Sequence, residues 1–283
     1  MHRGHGVQAS LDANRRLRDS AFKVGFHMMP GQPGMSKEMC LEDFRELFES
    51  PDWRPDYLKI YPTLVVRDTI TYDMWRNEEY DPLTNEEAAE LVAEIKSMIP
   101  RYTRLQRVQR DIPADFIDAG VWKSNLRQLA RKRMAEHGWE CDCIRCREVG
   151  MNDEEPENVE MDVLTYEAAG GTEHFISFED FEKDLLVGFC RLRFPNDPVR
   201  RELDNAALVR ELHVYGNEVG VGQASEADHQ HKGYGRRLLD EAEKMATDAG
   251  YDKLSVISGI GVREYYREKL GYYQDGPYVS TRL

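Results

Sequence analysis

Along the first 110 residues the apolar positions alternate between short continuous runs and stripes of helical period. Phe22-Lys23-Val24-Gly25-Phe26-His27-Met28-Met29 has the form of a strand, stopped by Pro30-Gly31-Gln32-Pro33-Gly34. From Glu38 to Phe48, residues Cys40, Leu41, Phe44, Leu47 and Phe48 recur at a spacing that places them on one helical face. Tyr57-Leu58-Lys59-Ile60-Tyr61 is a second short strand. Thr84 with Glu87 three residues on has the form of a capping box, and Leu91, Ile95, Met98 and Ile99 carry the stripe to Pro100. Thr103 to Gln109 reads as a third strand. Such alternation predicts parallel strands joined by crossover helices, with the working face at the strands' C-terminal ends. Three strands are too few to close a barrel, so the pattern begins partway through one.

Beyond Gln109 the pattern changes. Ser124 is the expected cap of a basic helix running to about His137, and the acidic stretch from Asn152 to Glu160 reads as a linker. Strands follow at Leu185–Phe194, Ala207–Tyr215 and Leu254–Ser258, with a helix from about Tyr234 to Ala249 between the last two. The expected domains are residues 1–122, a connecting segment 123–158, and a mixed α/β domain 159–283.

Charge sharpens this division. The chain carries a net charge of −14, which argues against a general nucleic-acid binder. Yet residues 101–147 hold eleven Lys/Arg against six Asp/Glu, whereas residues 150–187 hold twelve Asp/Glu against Lys183 alone. A basic strip kept in an acidic protein suits a phosphate backbone. Its members are Lys123, Arg127, Arg131, Lys132 and Arg133, with Arg145 and Arg147. No apolar run approaches the roughly 20 residues that span a bilayer, so no membrane association is expected. The opening Met1-His2-Arg3-Gly4-His5 does not read as a signal peptide, and the cytoplasm is the expected location. Of the five cysteines, Cys141, Cys143 and Cys146 fall within six residues. Thiolates at this spacing can hold one tetrahedral Zn²⁺, given a fourth ligand for which His137, His174 and His213 are candidates. Cys40 and Cys190 occupy apolar positions and read as core.

The most specific motif is Gln230-His231-Lys232-Gly233-Tyr234-Gly235, followed by Arg236. It fits the Q/R-x-x-G-x-G/A signature of GNAT acetyltransferases, between a strand and a helix as that family requires. A diphosphate needs backbone N–H groups at a helix N-terminus, and glycines let the backbone come close. With the preceding strand end Leu212, His213 and Val214, these residues are the candidate acetyl-CoA contacts. Tyr265 and Tyr266 are candidates for donating a proton to a departing thiolate, a group of comparable basicity, although one of the two is expected to be a core aromatic. Glu211 is a candidate base or substrate-orienting acid.

Several further stretches resemble the Elp3 family in order along nearly the whole chain. They include His27-Met28-Met29-Pro30-Gly31, Tyr57–Val65, Arg107-Val108-Gln109-Arg110-Asp111-Ile112-Pro113, Arg145-Cys146-Arg147-Glu148, Arg210–Gly216 and Gly276-Pro277-Tyr278. The resemblance implies a partial radical-SAM (β/α) barrel followed by a GNAT domain with a mixed sheet. It also implies modification of the wobble uridine, U34, in the anticodon stem-loop of tRNA. In that chemistry a SAM-derived radical activates the methyl of acetyl-CoA, the carbon adds to C5 of the uracil, and thioester hydrolysis leaves a carboxymethyl group. The family's [4Fe–4S] cysteines lie N-terminal to everything seen here, and no cysteine precedes Cys40. The expectation is a chain that supplies the acetyl-CoA half, with a homodimer or a separate N-terminal radical-SAM fragment left open as partners. The alternatives are a stand-alone GNAT enzyme acetylating a lysine or small amine, with Glu211 as base, and a non-catalytic tRNA-binding module.

Overall fold

The computed structural model describes residues 4–109, 112–215 and 227–283, with the backbone alone for residues 227–232. The chain forms two compact units. One comprises Gly25–Ser50 and Arg54–Cys146, the other Met1–Val24, Pro51–Trp53 and Arg147–Leu283.

The first unit is built on three parallel strands in the order β1 (Gly25–Met28), β2 (Tyr57–Ile60), β3 (Arg104–Val108). Helix α2 (Lys37–Glu49) starts where the Ser36 hydroxyl accepts from Met39 N–H, and it buries Cys40, Leu41, Phe44, Leu47 and Phe48, the stripe expected from the sequence. A short helix α3 spans Ile70–Arg76. Helix α4 (Asn85–Ser97) carries the full Thr84–Glu87 capping box, which satisfies two N-terminal donors at once. Helix α5 (Leu126–His137) is capped at Asn125 without a side-chain hydrogen bond, so the expected Ser124 cap is not formed; it ends at Gly138, whose φ of 67° favours glycine. A single turn, α6, covers Ile144–Arg147.

The second unit is a seven-stranded sheet in the order β4-β5-β6-β7-β8-β10-β9. The strands are β4 (Val159–Ala168), β5 (Gly171–Asp180), β6 (Leu185–Phe194), β7 (Ala206–Val214), β8 (Lys253–Val256), β9 (Tyr273–Asp275) and β10 (Tyr278–Arg282). Neighbours are antiparallel except β7 and β8, which are parallel. Strand β4 begins at Val159, inside the stretch that reads as a linker. Helix α7 (Ala227–Asp248) lays Leu238, Leu239, Ala242 and Ala246 on one sheet face against Ile176, Leu192, Val209 and Leu254. Burying each leucine contributes roughly 1.5–3 kcal/mol.

The other face is charged and still buried. Glu173 on β5 accepts from Arg18 at 3.3 Å, Arg193 at 2.9 Å and Arg210 at 2.8 Å, all with side chains 1% exposed or less. Asp19 pairs with Arg193 at 2.6 Å. Arg18 and Asp19 come from the end of helix α1 (Val7–Arg18), and Asn14 on that helix donates to the carbonyls of Asp52 and Trp53. Helix α1 and the residues after it, up to 24, therefore fold onto the mixed sheet, with the apolar cluster of Ala21, Leu203, Ala206, Leu208 and Tyr278 closing the seam. Among the described residues no helix is long and apolar enough to cross a membrane.

Candidate active site

Strands β7 and β8 pair only from Ala206/Lys253 to Val209/Val256, with one more bond from Ile257 N–H to the Val209 carbonyl at 3.3 Å. Strand β7 runs on to Val214, while the chain after β8 turns off through Gly259 into a short turn at Ile260–Val262. Two parallel strands that part in this way leave a cleft edged by the backbone groups of β7. A cavity of about 370 Å³ occupies it, lined among others by Lys23, Glu211, Leu212, Ser258 and Tyr266.

Glu211 sits in the cavity wall between two cations. Arg191, 1% exposed, donates to it at 3.0 Å, and Lys23 Nζ lies 3.0 Å from its other oxygen. Burial alone would push its carboxyl up, but Arg191 and Lys23 outweigh this and hold it below the usual carboxylate range. A carboxylate held this way is a weaker base than a free one, which counts against Glu211 as the group that deprotonates an amine. Tyr266, only 6% exposed, packs beside Tyr272 and Cys190, and burial keeps its phenol protonated far above neutral pH. It can donate a hydrogen bond into the cavity. Tyr265 is 52% exposed and is not part of the cavity wall. Leu212 and His213 also line the cleft, and Val214 packs on the α7 side of the sheet.

The glycine motif falls in the first turns of α7, which starts at Ala227 where the sequence suggested Tyr234. The side chains of Gln230, His231 and Lys232 lie outside the described residues. Tyr234 packs on Phe178 at 4.7 Å between ring centroids, which fixes that side of the helix to the sheet. Among the described residues, a side chain at Gly233 would meet nothing within 4 Å, and one at Gly235 only Val214 at 3.7 Å. Arg236 pairs with Asp240 at 2.6 Å.

In the other unit, the sulfur atoms of Cys141, Cys143 and Cys146 lie within 4.8 Å of one another, a spacing compatible with three corners of a thiolate tetrahedron. Hydrogen bonds from Cys141 and Cys143 pull the Cys146 thiol down, helped by Lys96, whose Nζ is 3.7 Å from its sulfur. No His, Asp or Glu joins this group among the described residues. His137 instead contacts Glu90 at 2.9 Å. His174 meets Thr165 at 2.8 Å, and His213 lies over the Tyr215 ring. Cys40 and Cys190 are buried, and burial pushes the Cys190 thiol up to about 12.

The basic strip is less open than its sequence suggests. Arg147 is a correction: it is 1% exposed and holds Glu179 and Asp184, so it cannot reach a phosphate. Arg127 is turned inward and donates to the Leu105 carbonyl. Lys123 is engaged with Glu86, and Arg133 with Glu136. Arg131 and Lys132 are exposed, and Arg145 is half-buried. Neither Lys23 nor Ser258 was legible as a site residue, because sequence spacing gives no sign of which loops meet at the parted strands.

Residues 55–136 match the Radical_SAM C-terminal domain family, and residues 137–272 the acetyltransferase (GNAT) family. The chain is 49% identical to the tRNA uridine(34) acetyltransferase of Methanocaldococcus jannaschii, covering 99% of this chain and 53% of that protein. It is 44% identical to human Elongator complex protein 3, covering 100% of this chain and 53% of that one. A solved structure of Methanocaldococcus infernus Elp3 with an N-terminal deletion matches with a TM-score of 0.93 and 46% identity, over 100% of this chain and 68% of that chain. The chain belongs to the Elp3 family. It spans about half the length of the curated relatives it matches. Within that family, its parallel-sheet unit overlaps the radical-SAM C-terminal match, and its mixed sheet carries the acetyltransferase fold.

Proposed function

We propose that the mixed-sheet unit binds acetyl-CoA and serves modification of uridine 34 in tRNA, the activity named for the archaeal relatives. The observation that carries the acyl-CoA part is the cleft between β7 and β8, with a protonated phenol at its wall and, beside the same sheet, a stretch of α7 at Gly233 and Gly235 that few of the described residues crowd. The bound thioester supplies the two-carbon unit. Residues around Gly233, Gly235 and Arg236 hold its diphosphate. This requires the turns before Tyr234 to give way, because amides inside a helix are already committed to carbonyls four residues back. The glycines lower that cost, each being roughly 0.8–1 kcal/mol less favourable in a helix than alanine. Tyr266 donates a hydrogen bond toward the sulfur while keeping its proton. Incubation with labelled acetyl-CoA tests the reading: tRNA should stimulate thioester turnover, and candidate amines should remain unmodified. Acetylation of an amine irrespective of tRNA would support the stand-alone GNAT alternative, which the double ion pair on Glu211 disfavours.

For tRNA, Arg131 and Lys132 are the phosphate contacts best placed by exposure. Reversing both to Glu should weaken binding and reduce the salt dependence of log K by about two, since each neutralised phosphate contributes a slope of roughly 0.9. Filter binding across a salt series reads both, and an unchanged slope would remove these residues from the interface.

Cys141, Cys143 and Cys146 are proposed to hold Zn²⁺, which would tie α6 to the segment just before it that carries Cys141 and Cys143. Cys143 is fully buried, so Cys143→Ser should lower zinc content from about one equivalent to near zero and lower the melting temperature. Elemental analysis of the purified variant and the wild-type chain gives the answer. Metal-free wild-type protein with all three thiols open to alkylation would contradict the assignment.

A further inference from the structure

Lys23 lies outside both matched domains, in the segment between α1 and β1, yet it lines the cleft of the acetyltransferase fold. Two contacts bring it there. The carbonyl of Phe22 accepts from Arg210 Nη1 at 2.8 Å, which pins the backbone to β7, and the ammonium pairs with Glu211 at 3.0 Å. Arg191 compensates Glu211 from the buried side, so Lys23 is not needed to neutralise that carboxylate. An ammonium offers three donors, and among the described residues Glu211 takes one. The side chain is 49% exposed at the cavity wall.

Ser258 lines the same space, and its Oγ is buried with no hydrogen-bond partner among the described residues. The rest of the wall includes Leu212, Val256 and Val262, which suit an apolar chain. With Arg191 compensating Glu211, the ammonium of Lys23 keeps its charge for a ligand, and a polarised acyl carbonyl oxygen, which gains negative charge when its carbon is attacked, is an acceptor of that kind.

We propose that Lys23 is the specificity-determining residue that donates to the acyl carbonyl oxygen, so that the site distinguishes acyl-CoA from free CoA. This rests on the acyl-CoA reading above. The diphosphate, held elsewhere, contributes equally to both ligands, whereas the carbonyl is present in only one.

Calorimetric titration of the chain with acetyl-CoA and, separately, with CoA tests this. A hydrogen bond from a charged donor is worth about a tenfold preference, so wild-type protein should bind acetyl-CoA about tenfold more tightly than CoA. Lys23→Met should bring acetyl-CoA down to the affinity of CoA and leave CoA itself unchanged. Lys23→Arg should keep part of the preference. Melting curves of the three proteins should superpose, because Lys23 is half-exposed. A ratio that survives in Lys23→Met, or a parallel loss for both ligands, overturns the proposal while leaving the acyl-CoA reading standing. Absence of binding by either ligand to the wild-type chain overturns the reading itself, and the proposal with it.

Discussion

Glu173→Gln is expected to destabilise the mixed-sheet unit by about 3–5 kcal/mol, because removing one charge of a buried, hydrogen-bonded pair leaves its partners uncompensated. Here a single carboxylate serves Arg18, Arg193 and Arg210, each with 0% side-chain exposure. Gln keeps the shape and one acceptor oxygen, so the loss reports charge and not a cavity. Against a typical total stability of 5–15 kcal/mol, this is enough to unfold a substantial fraction of the chain. Urea denaturation followed by circular dichroism should show a clearly lower midpoint for Glu173→Gln than for Glu167→Gln. Glu167 is exposed and accepts a hydrogen bond from Thr172. A shift below about 1 kcal/mol, the size of an exposed ion pair, would mean that the network is solvated and not buried.

Gly233→Leu should act in the opposite sense. Among the described residues a side chain at Gly233 meets nothing within 4 Å, and leucine is a better helix former by close to 1 kcal/mol. The melting temperature should therefore stay level or rise. Acetyl-CoA affinity should fall at least about a hundredfold, because a branched side chain fills the approach to the backbone that a diphosphate needs and favours the helical form of the preceding turns. Titration and a melting curve on the same preparation separate the two effects. Retained affinity, or loss of affinity accompanied by a lower melting temperature, would contradict the role given to this position.

Local physics made much of the fold legible. The stripe from Cys40 to Phe48 and the Thr84–Glu87 box are short-range patterns, and both elements form where they indicate. The parallel strands around Tyr57 and Arg104 and the strands at 185–194 and 206–214 follow for the same reason. The edge strands were harder. β4 alternates Val159, Met161 and Val163 with acidic residues, and the acidic positions masked a strand with one exposed face. Long-range pairings were not legible at all. Nothing in the run from Asn14 to Asp19 announces that its charges meet Glu173 and Arg193 more than 150 residues later. The same limit hid Lys23 and Ser258, and it made Arg147 look like a surface cation when its partners Glu179 and Asp184 stand on or beside the acidic strands. Composition counts charges; only the fold shows which of them are already spoken for.

The most direct test of the central claim is a crystal structure of the chain with acetyl-CoA bound. The diphosphate should lie beside the backbone of Gly233 and Gly235, with the acyl group in the cleft between β7 and β8 near Lys23 and Tyr266. Acetyl-CoA found elsewhere on the sheet, for example in the polar hollow around Gly170, Gly171 and Tyr251, would contradict the account.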